Sequence, residues 1–240
     1  MKNSIIHKIF FFLVAMVITI TSCDSGDVYP EDKNEEGADV DVTLRFKLTN
    51  IEAFPTNYKI VFGSFNDDTS YPISSKMISV PADDEEISVS LNNIPESATY
   101  LALYLVQEHS NSKLYPFYTY PIVGELTEDI ELPLQTIDLA VFGRVQKQVF
   151  SQCLQCHGGS GFAAAGLYLT DDKSYSALVN VTAKHDAEKK LVAPNNILNS
   201  YLLDVLEGHV LQNQHSSLSS LKDDDIVLIE QWIKSGAKDK

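Results

Sequence analysis

Positive charge is scarce in this sequence. Eighteen Lys and Arg face 33 Asp and Glu, which gives a formal net charge of −15 and a pI of about 4.7. No basic stripe exists to meet phosphates, which argues against nucleic acid as a partner. Cysteine is nearly absent, with three in 240 residues at Cys23, Cys153 and Cys156. Methionine stops early, at Met1, Met16 and Met77, so the later chain has no thioether side chain. The apolar run Ile9–Ile20, interrupted only by Thr19, would cover about 18 Å as a helix. That is too short for a hydrocarbon core of about 30 Å. What is present is the 44% hydrophobic content of a globular protein, in a chain long enough for two domains.

The first 22 residues read as a signal peptide, with Lys2 and Lys8 before the apolar run. The peptide ends Ile20-Thr21-Ser22-Cys23, which resembles the lipobox of bacterial lipoproteins: a small residue before the cysteine and a branched apolar one three before it. The resemblance implies that Cys23 is lipidated and becomes the first residue of the mature chain. The protein would then be exported and lipid-anchored to the outer membrane, on its periplasmic or surface face. The alternative is an ordinary secretory peptide with a stray cysteine. Removing residues 1–22 takes away two lysines and no acid, so the mature formal charge is −17. Residues 23–39 are acidic and poor in apolar side chains, and are expected to be a solvated tether.

From Val40 the pattern changes. Val40, Val42, Leu44, Phe46 and Leu48 alternate with polar residues, the period of a half-buried strand. Further strands are expected at 58–65, 76–80, 87–91, 99–106, 113–120 and 129–132. Short strands separated by turn-rich stretches such as Asn66-Asp67-Asp68 point to an antiparallel, immunoglobulin-like β-sandwich over residues 40–134. This stretch shows no catalytic triad, metal cluster or phosphate loop. Its aromatic run, Tyr115, Phe117, Tyr118 and Tyr120, suits cross-strand packing, and if exposed on one face would suit stacking on sugar rings.

Pro133 closes the β region. Leu139, Phe142, Val145, Val149 and Cys153 recur at helical spacing, which puts the next motif on a helix end. That motif is Cys153-Leu154-Gln155-Cys156-His157, followed by Gly158-Gly159, the CxxCH arrangement that attaches a c-type haem. Two thiols three positions apart can reach the two vinyl groups on one porphyrin edge. The following imidazole then lies beneath the ring as proximal iron ligand. A redox CxxC would need a preceding strand and a βαβ frame, and a structural zinc site a second Cys/His pair. Neither is visible, although a short disulfide between Cys153 and Cys156 would be open to a haem-free chain. The cysteine arithmetic closes with one cysteine for lipid and two for a single covalent haem c.

After the motif come Gly166-Leu167-Tyr168-Leu169, a helical turn or two near Tyr175–Val179, a helix from Pro194-Asn195-Asn196 through Leu206, and a last helix from Asp223 to Gly236. Acids at its start favour the helix N-terminus. The run from Ile137 to Ala237 resembles a monohaem cytochrome c domain of class I type, of the kind appended to β modules in exported bacterial proteins. The resemblance implies two domains: the all-β sandwich, then an all-α cytochrome c-like domain over 135–240. First and last helices of the second domain would pack together around the haem crevice. In that family a Met-Pro-Pro type segment before the last helix supplies the distal ligand. Here that stretch reads His209-Val210-Leu211-Gln212-Asn213-Gln214-His215, with no methionine. Neutral imidazole is the natural replacement, since it binds both ferric and ferrous iron. His215 lies nearest the family's methionine position and is the expected sixth ligand, with His209 the runner-up and His185 a solvated residue. An open or water-bound distal position is the alternative.

The expected function is that of a lipid-anchored c-type cytochrome passing single electrons to and from redox partner proteins, without catalysis of its own. Two alternatives stand beside it. One is a surface binding protein whose sandwich recognises a glycan or protein, with the haem as a structural or sensory accessory. The other is peroxide or oxygen chemistry at an open iron position.

Overall fold

The computed structural model describes residues 37–80, 84–159, 161–211, 215 and 221–239. The signal peptide, Cys23 and most of the tether lie outside the described residues. Ten strands are present among those described. They are β1 (Gly37–Ala38), β2 (Val42–Thr49), β3 (Tyr58–Phe65), β4 (Ser74–Ile78), β5 (Glu86–Leu91), β6 (Ile94–Pro95), β7 (Tyr100–Gln107), β8 (Lys113–Pro121), β9 (Ile130–Glu131) and β10 (Gln135–Asp138).

Two four-stranded sheets form. One has the order β4-β3-β7-β8 and is antiparallel throughout. In the other, β2 pairs antiparallel with β5 and parallel with both β9 and β10. The second sheet is therefore mixed, not purely antiparallel as the strand spacing implied. The alternation along β2 does its expected work: Val42, Leu44, Phe46 and Leu48 are fully buried, in one cluster with Ile60, Phe62, Leu101, Leu103 and Leu105 of the other sheet. The outer face of β3 and β7 carries a second, smaller cluster of Val61, Phe65, Ala102 and Val106. Tyr100 and Tyr104 pack on it, and the Lys113 ammonium lies over the rings of Phe65, Tyr100 and Tyr104.

The expectation of an all-α cytochrome c-like domain after the sandwich is overturned. Of the described residues 31% are strand, and their helices are short. Five α-helices occur among the described residues: α1 (Phe142–Gln148), α2 (Leu154–His157), α3 (Ser174–Leu178), α4 (Tyr201–Leu206) and α5 (Asp223–Lys234). Only α5 reaches three turns. Residues 135–138, read as the approach to a helix, instead form β10 and pair with Phe46–Thr49 of β2. Isolated bridges Val179–Val192, Thr182–Lys190 and Lys190–Ser200 tie the loops between α3 and α4 in extended form.

The physical reasons are local. The apolar spacing from Leu139 to Cys153 is real, but Leu139 donates its N–H to Thr49 and so extends the strand region. α1 ends at Gln148, and after Val149 the chain continues as a 3-10 turn at Phe150–Cys153. The helix expected from Pro194 begins only at Tyr201. Asn195 takes a left-handed φ of 61°, and the Ser200 hydroxyl donates to the Asn196 carbonyl. α5 runs as its sequence promised, with Asp223, Asp224 and Asp225 in the first turn, and Gly236 at φ 99° just past the end.

α1 and α5 do pack together. The ring of Phe142 lies 5.1 Å from Trp232, 5.2 Å from Tyr175 and 6.3 Å from Phe150. Gln148 Nε2 donates to Asp225 Oδ1 at 2.8 Å. These side chains belong to the same continuous core as β2, so residues on both sides of position 134 share one apolar interior. Among the described residues, no helix is long and apolar enough to cross a membrane.

Candidate haem-attachment site

The CxxCH motif begins where the 3-10 turn Phe150–Cys153 passes into α2. Both cysteines are free thiols: Cys153 is half-buried and Cys156 is exposed. Burial pushes the Cys153 thiol above its ordinary pKa, and the neighbouring Cys156 adds to the effect. Cys153 Sγ lies 3.8 Å from the Val149 carbonyl oxygen, its approach fixed by the preceding turn. Leu154 and Cys153 lean on the core, while Gln155 and Cys156 face solvent.

The glycines after the histidine are sterically required. A Cβ on Gly158 would stand 2.6 Å from the Leu154 carbonyl oxygen, and one on Gly159 would collide with the carbonyl oxygen of Phe162. The chain therefore turns back at once. It passes Ala165 and Gly166, both at positive φ, and then runs extended along the histidine. His157 is held there at two points. Its carbonyl accepts the Leu169 N–H at 2.9 Å, and its ring Nδ1 donates to the Leu167 carbonyl at 3.0 Å. That bond fixes the tautomer and leaves Nε2 with its lone pair free for a metal.

His215 stands opposite. Its ring is nearly parallel to that of His157, 3° between planes and 6.3 Å between centres. Its Nδ1 also turns to a backbone carbonyl, that of Leu211, in a long contact of 3.4 Å. The runner-up, His209, is instead an exposed residue after α4, with Nδ1 3.2 Å from Glu207 Oε2. His185 is exposed.

These residues fit a c-type haem. Such a group asks the protein for two free thiols at CxxC spacing and one or two imidazoles, and Cys153, Cys156, His157 and the facing His215 are residues of those types. A structural zinc ion asks for four protein donors. Among the described residues no three His, Cys, Asp or Glu converge closely enough to hold a metal ion. The strand-led βαβ frame of a redox CxxC is also missing, since a 3-10 turn precedes the motif.

The aromatic run of β8 does not make an exposed platform. Tyr115, Phe117, Tyr118 and Tyr120 are each half-buried and packed against the main core, and Tyr115 meets Phe117 edge-on at 5.4 Å. Burial raises the phenol pKa of both Tyr115 and Tyr118. No sequence pattern marked Arg144, which is fully buried on α1 and donates to the Leu139 carbonyl at 2.7 Å and to Gln148 Oε1 at 3.1 Å. Burial lowers its pKa to about 10, against the opposing pull of Asp225 and Asp224. No protein-family model matches the chain, and no curated protein matches it.

Proposed function

We propose that this chain is an exported c-type cytochrome that carries one covalent haem and passes single electrons between partner proteins. The observation that carries the reading is the pair of parallel imidazoles, His157 and His215, 6.3 Å apart, beside two free thiols at CxxC spacing. Cys153 and Cys156 would hold the porphyrin edge by thioether bonds, and His157 would bind iron from α2. His215 would supply a second imidazole to the iron. The haem, when bound, supplies the one-electron couple.

The chain's own part is to attach, orient and close. The thiols fix one edge of the group, so that it cannot dissociate. The Leu167 carbonyl fixes the plane and tautomer of His157. Two imidazole ligands together would suit electron transfer better than catalysis. Cys23, lipidated after removal of residues 1–22, would anchor the protein to the outer membrane, with the acidic residues that follow as a tether.

Expression with a haem-attachment system tests the reading. A c-type pyridine haemochrome, with haem retained through denaturing electrophoresis, is the expected result. A colourless protein whose Cys153 and Cys156 are free by mass analysis overturns it.

A further inference from the structure

The extended piece Leu167–Leu169 holds His157 on one side, and something must hold that piece on the other. The side chain of Gln146, on α1 and only 7% exposed, does so. Its Nε2 donates to the Leu169 carbonyl at 2.8 Å. Its Oε1 accepts the hydroxyl of Ser174, a residue with no exposed surface at the first position of α3, at 2.6 Å. Ser174 is fixed in turn by its own N–H, which donates to Thr170 at 2.8 Å. A buried amide with both ends engaged is rigid, because loosening either bond leaves a desolvated polar group without a partner.

The chain of contacts reads Ser174 to Gln146, Gln146 to Leu169, Leu169 to the His157 carbonyl, and Leu167 to the His157 ring. Resting on the haem reading above, we infer that Gln146 and Ser174 are positioning residues for the iron: they set the Leu167 carbonyl against His157 and so tune the redox couple. Neither touches the ligand directly. Their effect runs through the strength of the Nδ1–H···O bond. A firm bond makes the imidazole more basic and favours ferric iron, and a slack bond favours ferrous. No apolar pattern requires a glutamine at position 146, since it sits on the buried side of an amphipathic helix where an aliphatic residue would pack at lower desolvation cost.

The experiment is a potentiometric titration of the loaded full-length protein and three variants. Gln146→Met keeps the length and loses both hydrogen-bonding ends. Ser174→Ala removes only the anchor. Leu178→Ala, at a fully buried position of α3 outside this chain of contacts, loosens the same core as a control. The expected result for Gln146→Met is a tenfold shift of the couple toward ferrous iron, a potential higher by about 59 mV for one electron. Ser174→Ala should shift it in the same direction by less, and Leu178→Ala should lower thermal stability at unchanged potential.

If Gln146→Met fails to fold, the Ser174→Ala and Leu178→Ala pair decides by the same criterion. Haem attached in every protein with all potentials equal overturns the positioning role and leaves the cytochrome reading standing. A shift in Leu178→Ala as large as that in the other two also overturns it, because loosened packing alone would then explain the change. Absence of covalent haem from the wild type overturns both.

Discussion

A single histidine carries most of the functional argument. His215 became a candidate because the chain offers no methionine after Met77 and few histidines near its last helix, and the structure sets its ring 6.3 Å from that of His157. Gln146 was not legible, because one glutamine on an amphipathic helix has no spacing or partner that sequence displays. Its role exists only once Leu169 and Ser174 have been brought to it. In the loaded protein, His215→Ala should convert a low-spin visible spectrum into a high-spin one that responds to carbon monoxide. His209→Ala, which removes only an exposed contact with Glu207, should leave the spectrum unchanged. A silent His215→Ala would end the bis-histidine assignment. At the same scale, Tyr104 gives the fold an alkaline limit. Burial and the neighbouring Tyr100 raise its pKa to about 12. The folded state keeps the phenol proton that the unfolded chain loses near pH 10, so this contribution is complete below pH 10 and lost as pH rises toward 12. Denaturant melts from pH 9 to 12 should show Tyr104→Phe losing less stability over that window than the wild type.

At the scale of elements, strands were easier to read than helices. The two-residue alternation of β2 is a burial pattern, and burial decided it. The helical spacing from Leu139 to Cys153 is also a burial pattern, but a core can be reached at that spacing by a strand end, a short helix and a 3-10 turn in succession. β10 escaped notice because Pro133 looked like the end of the β region, and because its pairing partner lies far back in the chain, at Phe46–Thr49. α5 was legible throughout, since acids, apolar face and terminal glycine all agree. Its buried Trp232 is the keystone of the aromatic group with Phe142 and Tyr175, and Nε1 donates to Lys238 at 2.8 Å. Trp232→Ala should cost about 3–5 kcal/mol, as emptied aromatic sites in cores do. A denaturation midpoint moved by less than about 1 kcal/mol would show that the helices contribute little to the fold.

For the whole molecule, the proposed lipid anchor and the proposed haem make separable predictions. Cys23→Ala should release the protein into the soluble exported fraction with its haem intact. Without residues 1–22 the sequence carries a formal −17 and no basic run to keep it on anionic lipid, whereas a buried acyl chain contributes about 0.8 kcal/mol per CH₂. Fractionation followed by haem staining checks both halves of that outcome. Full retention in the membrane fraction would mean that some other part of the chain anchors it.

The parallel pairing of β10 with β2 also sets an order of events. Asn50 bonds Asp138 across 88 positions of chain, so the sheet cannot be completed until nearly the whole sandwich has been delivered. Closing so long a loop is slow, and until then one edge of β2 presents open backbone groups to any passing strand. The CxxCH thiols follow β10 by only about fifteen residues. The two thiols thus enter the chain soon after its last strand, and the exposed Cys156 stays within reach once the sheet has closed. A chain stopped at residue 134 would lack that closing strand, and should aggregate on expression where the full chain does not.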